Sequence, residues 1–219
     1  LDEASSCVRD ATLDATWQIG PKAFHQLGQF DLLLRSPGIP LDHPKVIAAR
    51  AAGVEISSQT NLFFSLAQAR IIGVTGTNGK GTTAAFIQAM LEAEWRLPDG
   101  QKLGRSYLAG NIGLDPFEFL DQITPDDWVV LELSSFQLED LTQSPYIAVV
   151  LSITPDHLNH HRSLQDYQAA KRTIVSHQST TDHAVLHQDD PVSASFASTT
   201  TASIHWYSAR QRVSEGVDV

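Results

Sequence analysis

Cysteine is almost absent from the sequence: Cys7 is the only one among 219 residues. A single cysteine cannot form an intramolecular disulfide, which is typical of proteins that fold in a reducing compartment. The sequence also contains no apolar run approaching the roughly 18 residues of a membrane span, and no apolar region of a secretory signal. We therefore expect a cytoplasmic protein without a membrane partner.

Basic residues are also few. There are 15 lysines and arginines against 25 aspartates and glutamates, which gives a formal net charge of −10. Because non-specific nucleic-acid binding needs a basic surface, this balance excludes nucleic acid as the expected partner. The 42% hydrophobic and 18% charged content is typical of a folded globular protein, and the length suits one α/β domain plus part of another.

A glycine-rich stretch stands near the middle of the chain, between an apolar run at 71–74 and a segment at 82–94 with apolar residues at helical spacing. A glycine turn between a strand and the start of a helix lets backbone N–H groups and the helix dipole approach an anion. The pattern therefore predicts a phosphate-binding loop. The residues expected to bind the nucleotide are Gly76, Thr77, Asn78, Gly79, Lys80, Gly81 and Thr82.

The general phosphate-loop pattern is met only in part. Val74 stands where the first glycine is usual, and Gly81 stands where a serine or threonine usually follows the lysine. We expect Lys80 to contact the β- and γ-phosphates and the hydroxyl of Thr82 to serve as the Mg²⁺ ligand. An ordinary tight turn between strand and helix is the alternative.

Alternating strands and helices predict an α/β fold built on a doubly wound parallel sheet, with the functional site at the carboxyl ends of its strands. We assign residues 70–219 to this ATP-binding domain and residues 1–69 to part of a smaller Rossmann-like α/β domain. The predicted strands are 29–35, 54–57, 71–74, 128–133, 147–153, 183–187 and 204–207, and the further helices are 44–53, 61–69 and 163–178. Residues 95–110 are interpreted as a loop or hairpin region, and residues 195–203 as a solvent loop.

Polar residues follow two of the predicted buried strands. A carboxylate at the end of a buried strand is costly unless it meets a cation, so Glu132 is either in a salt bridge or a ligand to Mg²⁺. His157 follows the next strand and is either an ordinary loop histidine or a ligand to metal or substrate. Asn111 lies in a glycine-flanked turn and needs no further role on sequence alone.

Lys171 falls inside the predicted helix 163–178, on the same face as Tyr167 and Ile174. Ser163 is the expected N-cap of this helix. From the sequence alone, Lys171 is interpreted as a surface lysine whose aliphatic stem packs along the helix.

These segments together resemble the Mur ligases of peptidoglycan synthesis, and within that family the branch that adds D-glutamate. The segments that carry the resemblance are Ser36-Pro37-Gly38-Ile39, Thr75-Gly76-Thr77-Asn78-Gly79-Lys80, Gly110-Asn111-Ile112-Gly113, Leu131-Glu132-Leu133-Ser134-Ser135-Phe136-Gln137-Leu138-Glu139, Asp156-His157-Leu158 and Tyr167-Gln168-Ala169-Ala170-Lys171.

The resemblance implies an ADP-forming ligase that joins D-glutamate to UDP-N-acetylmuramoyl-L-alanine through an acyl phosphate, using ATP and two Mg²⁺ ions and acting as a monomer. It implies that Lys171 is carbamylated and binds metal with Glu132 and His157. The implied catalytic residues are Lys80, Glu132, His157 and Lys171. The implied substrate-binding residues are Ser36, Pro37, Gly38, Asn111 and His157.

Two substitutions depart from the family pattern, namely Gly81 and the pair Asn159-His160 in place of Asp-Arg. The order Gly-Lys-Gly-hydroxyl is typical of folylpolyglutamate synthases, which are the alternative enzyme assignment. Because the chain begins at Leu1 and stops soon after a predicted strand, we expect a fragment without the C-terminal amino-acid-binding domain. Such a fragment would be inactive alone, or would bind nucleotide without chemistry.

Overall fold

The computed structural model describes residues 23–93, 104–156, 161–210, 212–213 and 216–218. The chain divides into two compact units, residues 1–58 and residues 59–219. Within the described residues no helix is long and apolar enough to cross a membrane.

The first unit contains a parallel β–α–β arrangement. Strand β1 (Leu32–Arg35) pairs in parallel with β2 (Glu55–Ser58), and helix α1 (Pro44–Ala51) connects them. Proline at the first position suits the start of α1, because its fixed φ is helical and no partner for an N–H is needed there. The predicted order of strand, helix and strand is confirmed for this segment.

The second unit is built on a parallel sheet. Its described strands are β3 (Arg70–Thr75), β4 (Ser106–Gly110), β5 (Trp128–Glu132), β6 (Ile147–Val150), β7 (His183–His187), β8 (Ser203–Ser208) and β9 (Gly216–Asp218). They lie in the order β4-β5-β3-β6-β7-β8-β9, and each neighbouring pair is parallel. The predicted α/β fold is therefore confirmed.

Both faces of this sheet are covered by apolar side chains of the helices. The described α-helices of the second unit are α2 (Gln59–Leu66), α3 (Lys80–Glu92), α4 (Ser135–Leu138), α5 (Leu164–Ser176) and α6 (Pro191–Ser195). Tyr167 and Ile174 of α5 belong to one hydrophobic core, whereas Ala84 and Leu91 of α3 belong to the other. Successive strand residues point to opposite faces, so the central strands are almost continuously apolar.

The chain changes direction around β3. After β3 it continues to β4 and returns to β5 on one side, and it then crosses to β6, β7 and β8 on the other side. Ligands in open α/β sheets bind at the carboxyl ends of the strands where such a switch occurs. The predicted phosphate loop follows β3 at this point.

Two loop predictions were wrong. Of the predicted loop or hairpin 95–110, residues 95–103 lie outside the described residues, whereas residues 106–110 form β4 and pair in parallel with β5. The hydrogen bonds to β5 stabilise a strand that its weak sequence pattern does not reveal. The predicted solvent loop 195–203 contains the end of α6 and a short 3₁₀ helix (Phe196–Ser198), and Phe196 is completely buried in the core. The Ser-, Thr- and Ala-rich composition of this segment predicted exposure, although its one aromatic residue, Phe196, packs in the core.

Candidate functional site

The loop after β3 is a tight turn in which two glycines have positive φ angles. Gly76 has φ +151° and Gly79, the N-cap of α3, has φ +81°. A β-carbon on Gly76 would lie only 2.6 Å from Cβ of Leu151, which follows β6. Both glycines are therefore required, one by its contact with the neighbouring strand and the other by its left-handed conformation.

Thr77 fastens the loop to the chain that follows β6. Its backbone N–H donates to the carbonyl oxygen of Ser152 over 2.8 Å. Its hydroxyl donates to the carbonyl oxygen of Thr154 and accepts from the Thr154 N–H, each over 2.9 Å. The Tyr167 hydroxyl lies 3.0 Å from the same oxygen. Because the single proton of Thr77 is already used, Tyr167 must be the donor in that contact.

Lys80 begins α3, and its Nζ donates to the carbonyl oxygen of Thr77 over 3.0 Å. The side chain thus folds back over the loop instead of extending into solvent. The ammonium charge and the helix N-terminus lie together, which is the arrangement that a polyphosphate requires.

Lys171 lies on α5 and is only 2% exposed. Its Nζ donates to the carbonyl oxygen of Gly76 over 2.9 Å and lies 3.4 Å from the hydroxyl of Thr75. The ammonium also lies 4.9 Å from the centre of the Tyr167 ring. The interpretation of Lys171 as a surface lysine was therefore wrong, because the face it shares with Tyr167 is turned toward the phosphate loop.

Burial lowers the pKa of Lys171 from its ordinary value of 10.5 to about 7. Desolvation is the largest cause, and the positive charge of Lys80 acts in the same direction. The carboxylates of Asp156 and Glu132 oppose the shift. At neutral pH a substantial fraction of the amine is unprotonated and able to act as a nucleophile.

Glu132 ends β5 and is 4% exposed. Its Oε1 accepts from the side-chain amide of Asn111 over 3.3 Å, and its backbone carbonyl accepts from the Asn111 N–H over 3.0 Å. Within the described residues, Oε2 is buried and has no hydrogen-bond partner. A buried carboxylate oxygen without a partner is costly, so this atom fits a site for a cation.

A capping box fixes the chain directly after Glu132. Ser134 is the N-cap of α4, and its side chain and that of Gln137 each bond to the other residue's backbone N–H. The Ser135 hydroxyl lies 2.9 Å from Nε2 of the buried His161. The Ser-Ser-Phe-Gln segment thus has a structural reason for its residue types.

A cleft of about 250 Å³ opens beside Asn111 at the same edge of the sheet. Gln59 and Asp115 close one side, with the Gln59 amide 3.1 and 3.2 Å from the two carboxylate oxygens. The cleft is lined by Gln59, Thr60, Phe63, Gly110, Asn111, Ile112, Gly113, Leu114, Asp115, Pro116, Leu131, Leu133 and Gln137. No lysine, arginine or histidine is among these described lining residues, so the cleft suits an uncharged polar group.

The described side chains offer few ligands for a divalent cation. The described part of the chain contains no group of three or more histidine, cysteine, aspartate or glutamate residues that could hold a metal. Mg²⁺, however, needs only one or two carboxylates when phosphates and water complete its coordination. Glu132 satisfies that requirement, whereas Thr82 is exposed on the first turn of α3.

Two further groups of predicted residues remain. His157, Asn159 and His160 fall outside the described residues. Ser36, Pro37 and Gly38 lie in the first unit, in the turn after β1, where the Arg35 guanidinium donates to the carbonyl oxygens of Ser36, Pro37 and Ile39.

No role was assigned from the sequence to Tyr167, Thr154, Gln59 or Gln137. Tyr167 carried a usable signal, because its spacing of four residues from Lys171 places both on one face of α5. Gln137 carried a signal as well, since Ser134 and Gln137 have the spacing of a capping box. The contacts of Thr154 and Gln59 join segments that are distant in the chain.

The chain matches the Mur ligase middle domain over residues 74–215, and it belongs to the Mur ligase family. Among named relatives it is 37% identical over 204 residues to the UDP-N-acetylmuramoylalanine–D-glutamate ligase of Acetivibrio thermocellus. It is also 37% identical over 200 residues to the ligase of the same name from Alkaliphilus metalliredigens. These alignments cover 93% and 91% of the chain but 42% of each relative, so the chain spans less than half of their length.

A solved structure supports the fold. The UDP-N-acetylmuramate:L-alanyl-gamma-D-glutamyl-meso-diaminopimelate ligase of Neisseria meningitides superposes with a TM-score of 0.55 at 18% identity. The superposition covers 88% of this chain and 65% of that one. Mur ligases in general depend on ATP and magnesium.

Proposed function

We propose that the chain provides the ATP site and the phosphoryl-transfer site of a ligase that joins D-glutamate to UDP-N-acetylmuramoyl-L-alanine. The observation that carries the proposal is the convergence of Lys80, Lys171 and Glu132 on one phosphate loop. Both lysines donate to carbonyl oxygens of that loop, and Glu132 Oε2, which lies beside Gly81, is buried without a described hydrogen-bond partner. Such a site suits the transfer of the γ-phosphoryl group of ATP to a carboxylate.

In the proposed reaction the alanine carboxylate attacks the γ-phosphorus and the bond from phosphorus to the β-phosphate oxygen breaks. ADP departs, and the substrate becomes an acyl phosphate. The amine of D-glutamate then attacks the acyl carbon, loses a proton, and inorganic phosphate departs as the amide forms. Loop residues 76–82 hold the phosphates, and Lys80 places its positive charge beside them. Bound Mg²⁺ would neutralise phosphate charge in this step.

Three residues are proposed to hold the metal, namely Glu132, His157 and Lys171 as its carbamate. Carbamylation joins the unprotonated amine of Lys171 to carbon dioxide with loss of one proton, and the lowered pKa favours it. The resulting anion would lie near Glu132 and Asp156, so a cation would be needed to offset the repulsion. We propose two ions because the resemblance to Mur ligases implies that number.

We assign the cleft beside Asn111 to the acyl substrate. Its polar, cation-free lining suits the sugar part of that substrate better than a diphosphate. The turn at Ser36, Pro37 and Gly38 would contact the uridine nucleotide. These assignments concern the substrates of the whole enzyme, of which the chain represents the nucleotide-binding part.

Phosphate release from ATP by the complete gene product tests the proposal, with the muramoyl substrate and D-glutamate omitted in turn. We expect release only when both are present. Release supported by a folate and L-glutamate would instead favour the folylpolyglutamate synthase assignment, for which Gly81 is the specific observation. ADP binding without release under either condition would identify a nucleotide-binding protein that performs no ligation.

A further inference from the structure

Gly81 is the second residue of α3, and its backbone does not require glycine. Its φ is outside the left-handed region, unlike that of Gly76 and Gly79. Glycine is also the poorest ordinary helix former after proline. The reason for a glycine here must therefore lie in the space around it.

That space is occupied by the carboxylate of Glu132. A β-carbon on Gly81 would lie 3.0 Å from Glu132 Oε2 and 3.3 Å from Cδ1 of Ile112. Both distances are tighter than ordinary van der Waals contact. Since Asn111 holds the other carboxylate oxygen, the side chain of Glu132 has little freedom to move away.

The oxygen beside Gly81 is the same atom that lacks a hydrogen-bond partner among the described residues. It therefore lies against the first turn of α3, next to the loop where the phosphates are proposed to bind. A carboxylate oxygen in that position can reach a cation held by the phosphates, and Mg²⁺ accepts one carboxylate with phosphate and water ligands.

We propose that Gly81 determines how this site holds its divalent cation. The missing β-carbon lets Glu132 Oε2 occupy the place that a loop hydroxyl at residue 81 would take, so the carboxylate serves as the direct protein ligand. This inference rests on the proposed nucleotide site. It adds which protein group binds the cation directly, namely the carboxylate of β5 and not a hydroxyl of the loop.

A serine at residue 81 would act against this arrangement in two ways. Its β-carbon would displace Glu132, and its hydroxyl would donate to Oε2 and occupy the oxygen that the cation needs. An alanine would act in the first way only. Both substitutions should therefore weaken cation binding, although alanine and serine favour the helix more than glycine does.

Binding of Mn²⁺ to the chain in the presence of ADP provides the test, with bound and free Mn²⁺ distinguished by electron paramagnetic resonance. We expect Gly81→Ala and Gly81→Ser each to weaken Mn²⁺ binding about tenfold or more. The loss of Mn²⁺ binding should exceed any loss of ADP binding that is measured in the presence of a chelator. Ala85→Ser is the matched control, because Ala85 is exposed on the same helix and its added hydroxyl would lie outside the space between Gly81 and Glu132, which we call the niche.

Circular dichroism establishes that each variant is folded. Mn²⁺ binding by Gly81→Ser as tight as in the unsubstituted chain, or tighter, would overturn the inference and make a loop hydroxyl the preferred ligand. Loss of Mn²⁺ binding in Thr82→Val but not in Glu132→Gln would overturn it in favour of Thr82. If the unsubstituted chain bound no ADP, both this inference and the proposed function would fail.

Discussion

The ammonium group of Lys171 donates to the carbonyl oxygen of Gly76 across 95 residues of sequence. This bond links the middle of α5 to the first glycine of the phosphate loop. A buried lysine is costly unless it has a function or a partner, and here its only described oxygen contacts are Gly76 and Thr75. The position and the lowered pKa together make this amine the most informative single group for experiment.

The first prediction concerns carbamylation of Lys171. Nuclear magnetic resonance of the chain in ¹³C-labelled bicarbonate should show a carbamate signal that grows as the pH rises above about 7, because the unprotonated amine is the reactive form. Mg²⁺ with ADP should increase the signal by offsetting the charge of Glu132. Lys171→Arg should abolish it, whereas Lys45→Arg, at an exposed position, should retain it. A signal that persists in Lys171→Arg would contradict the assignment.

A second prediction concerns the pH dependence of stability in buffer free of carbon dioxide. The folded pKa of Lys171 is lower than the unfolded one, so the unfolded chain binds more protons between about pH 7 and 10.5. The free energy of unfolding should gain a contribution on the order of a few kcal/mol as the pH rises through this window, and lose it as the pH falls toward 7. Lys171→Met should remove this contribution in denaturant titrations. An identical pH dependence in both proteins would show that the lysine is not desolvated in solution.

Lys80 is the subject of the third prediction. Lys80→Ala removes the charge beside the loop together with the bond to the Thr77 carbonyl. Calorimetry should show ADP binding weakened roughly tenfold to a hundredfold, since charge-assisted bonds contribute about 1.5–3 kcal/mol. Lys45→Ala provides the control for loss of a positive charge. Unchanged ADP affinity in Lys80→Ala would remove the phosphate-loop assignment.

The sequence was sufficient to predict the glycine turn between β3 and α3, because its signals are local. An apolar strand, two glycines and a helix pattern adjoin one another, so nothing beyond residues 71–94 was needed to predict the turn. The burial of Lys171 could not be predicted in this way. It depends on how α5 packs against β3, and an amphipathic face containing Tyr167 and one lysine is equally compatible with a surface position.

The niche beside Gly81 was likewise not predictable from sequence. The substitution itself was visible, but its meaning depends on the distance to Glu132, which lies on another strand. Strand β4 is a second feature that depends on a contact with a distant segment. Its short, mixed sequence carries no period, and hydrogen bonding to β5 decides its conformation.

Asn61 provides a prediction about stability away from the phosphates. Its amide donates to the Asp140 carbonyl oxygen over 2.6 Å and accepts from the backbone N–H and hydroxyl of Thr142 over 2.8 and 3.0 Å. Asn61→Ala should lower the free energy of unfolding by about 2–3 kcal/mol, because the buried groups lose their partner. Chemical denaturation measures this change. Gln88 is half-buried on α3 and has no described side-chain hydrogen bond, so a similar loss in Gln88→Ala would indicate a helix effect common to any such substitution.

Tyr167→Phe isolates the contribution of one hydroxyl to the loop. The substitution keeps the ring beneath Lys171 but removes the proton donated to Thr77. Thr77 retains both bonds to Thr154, so we expect a loss of about 1 kcal/mol in stability and a comparable loss in ADP affinity. Tyr146→Phe is the matched control, because that hydroxyl contacts His183 at the opposite edge of the sheet. If the hydroxyl of Tyr167 helps to position the loop, ADP binding should weaken in Tyr167→Phe alone. Equal ADP affinity in the two variants would mean that Thr154 holds Thr77 without help from α5.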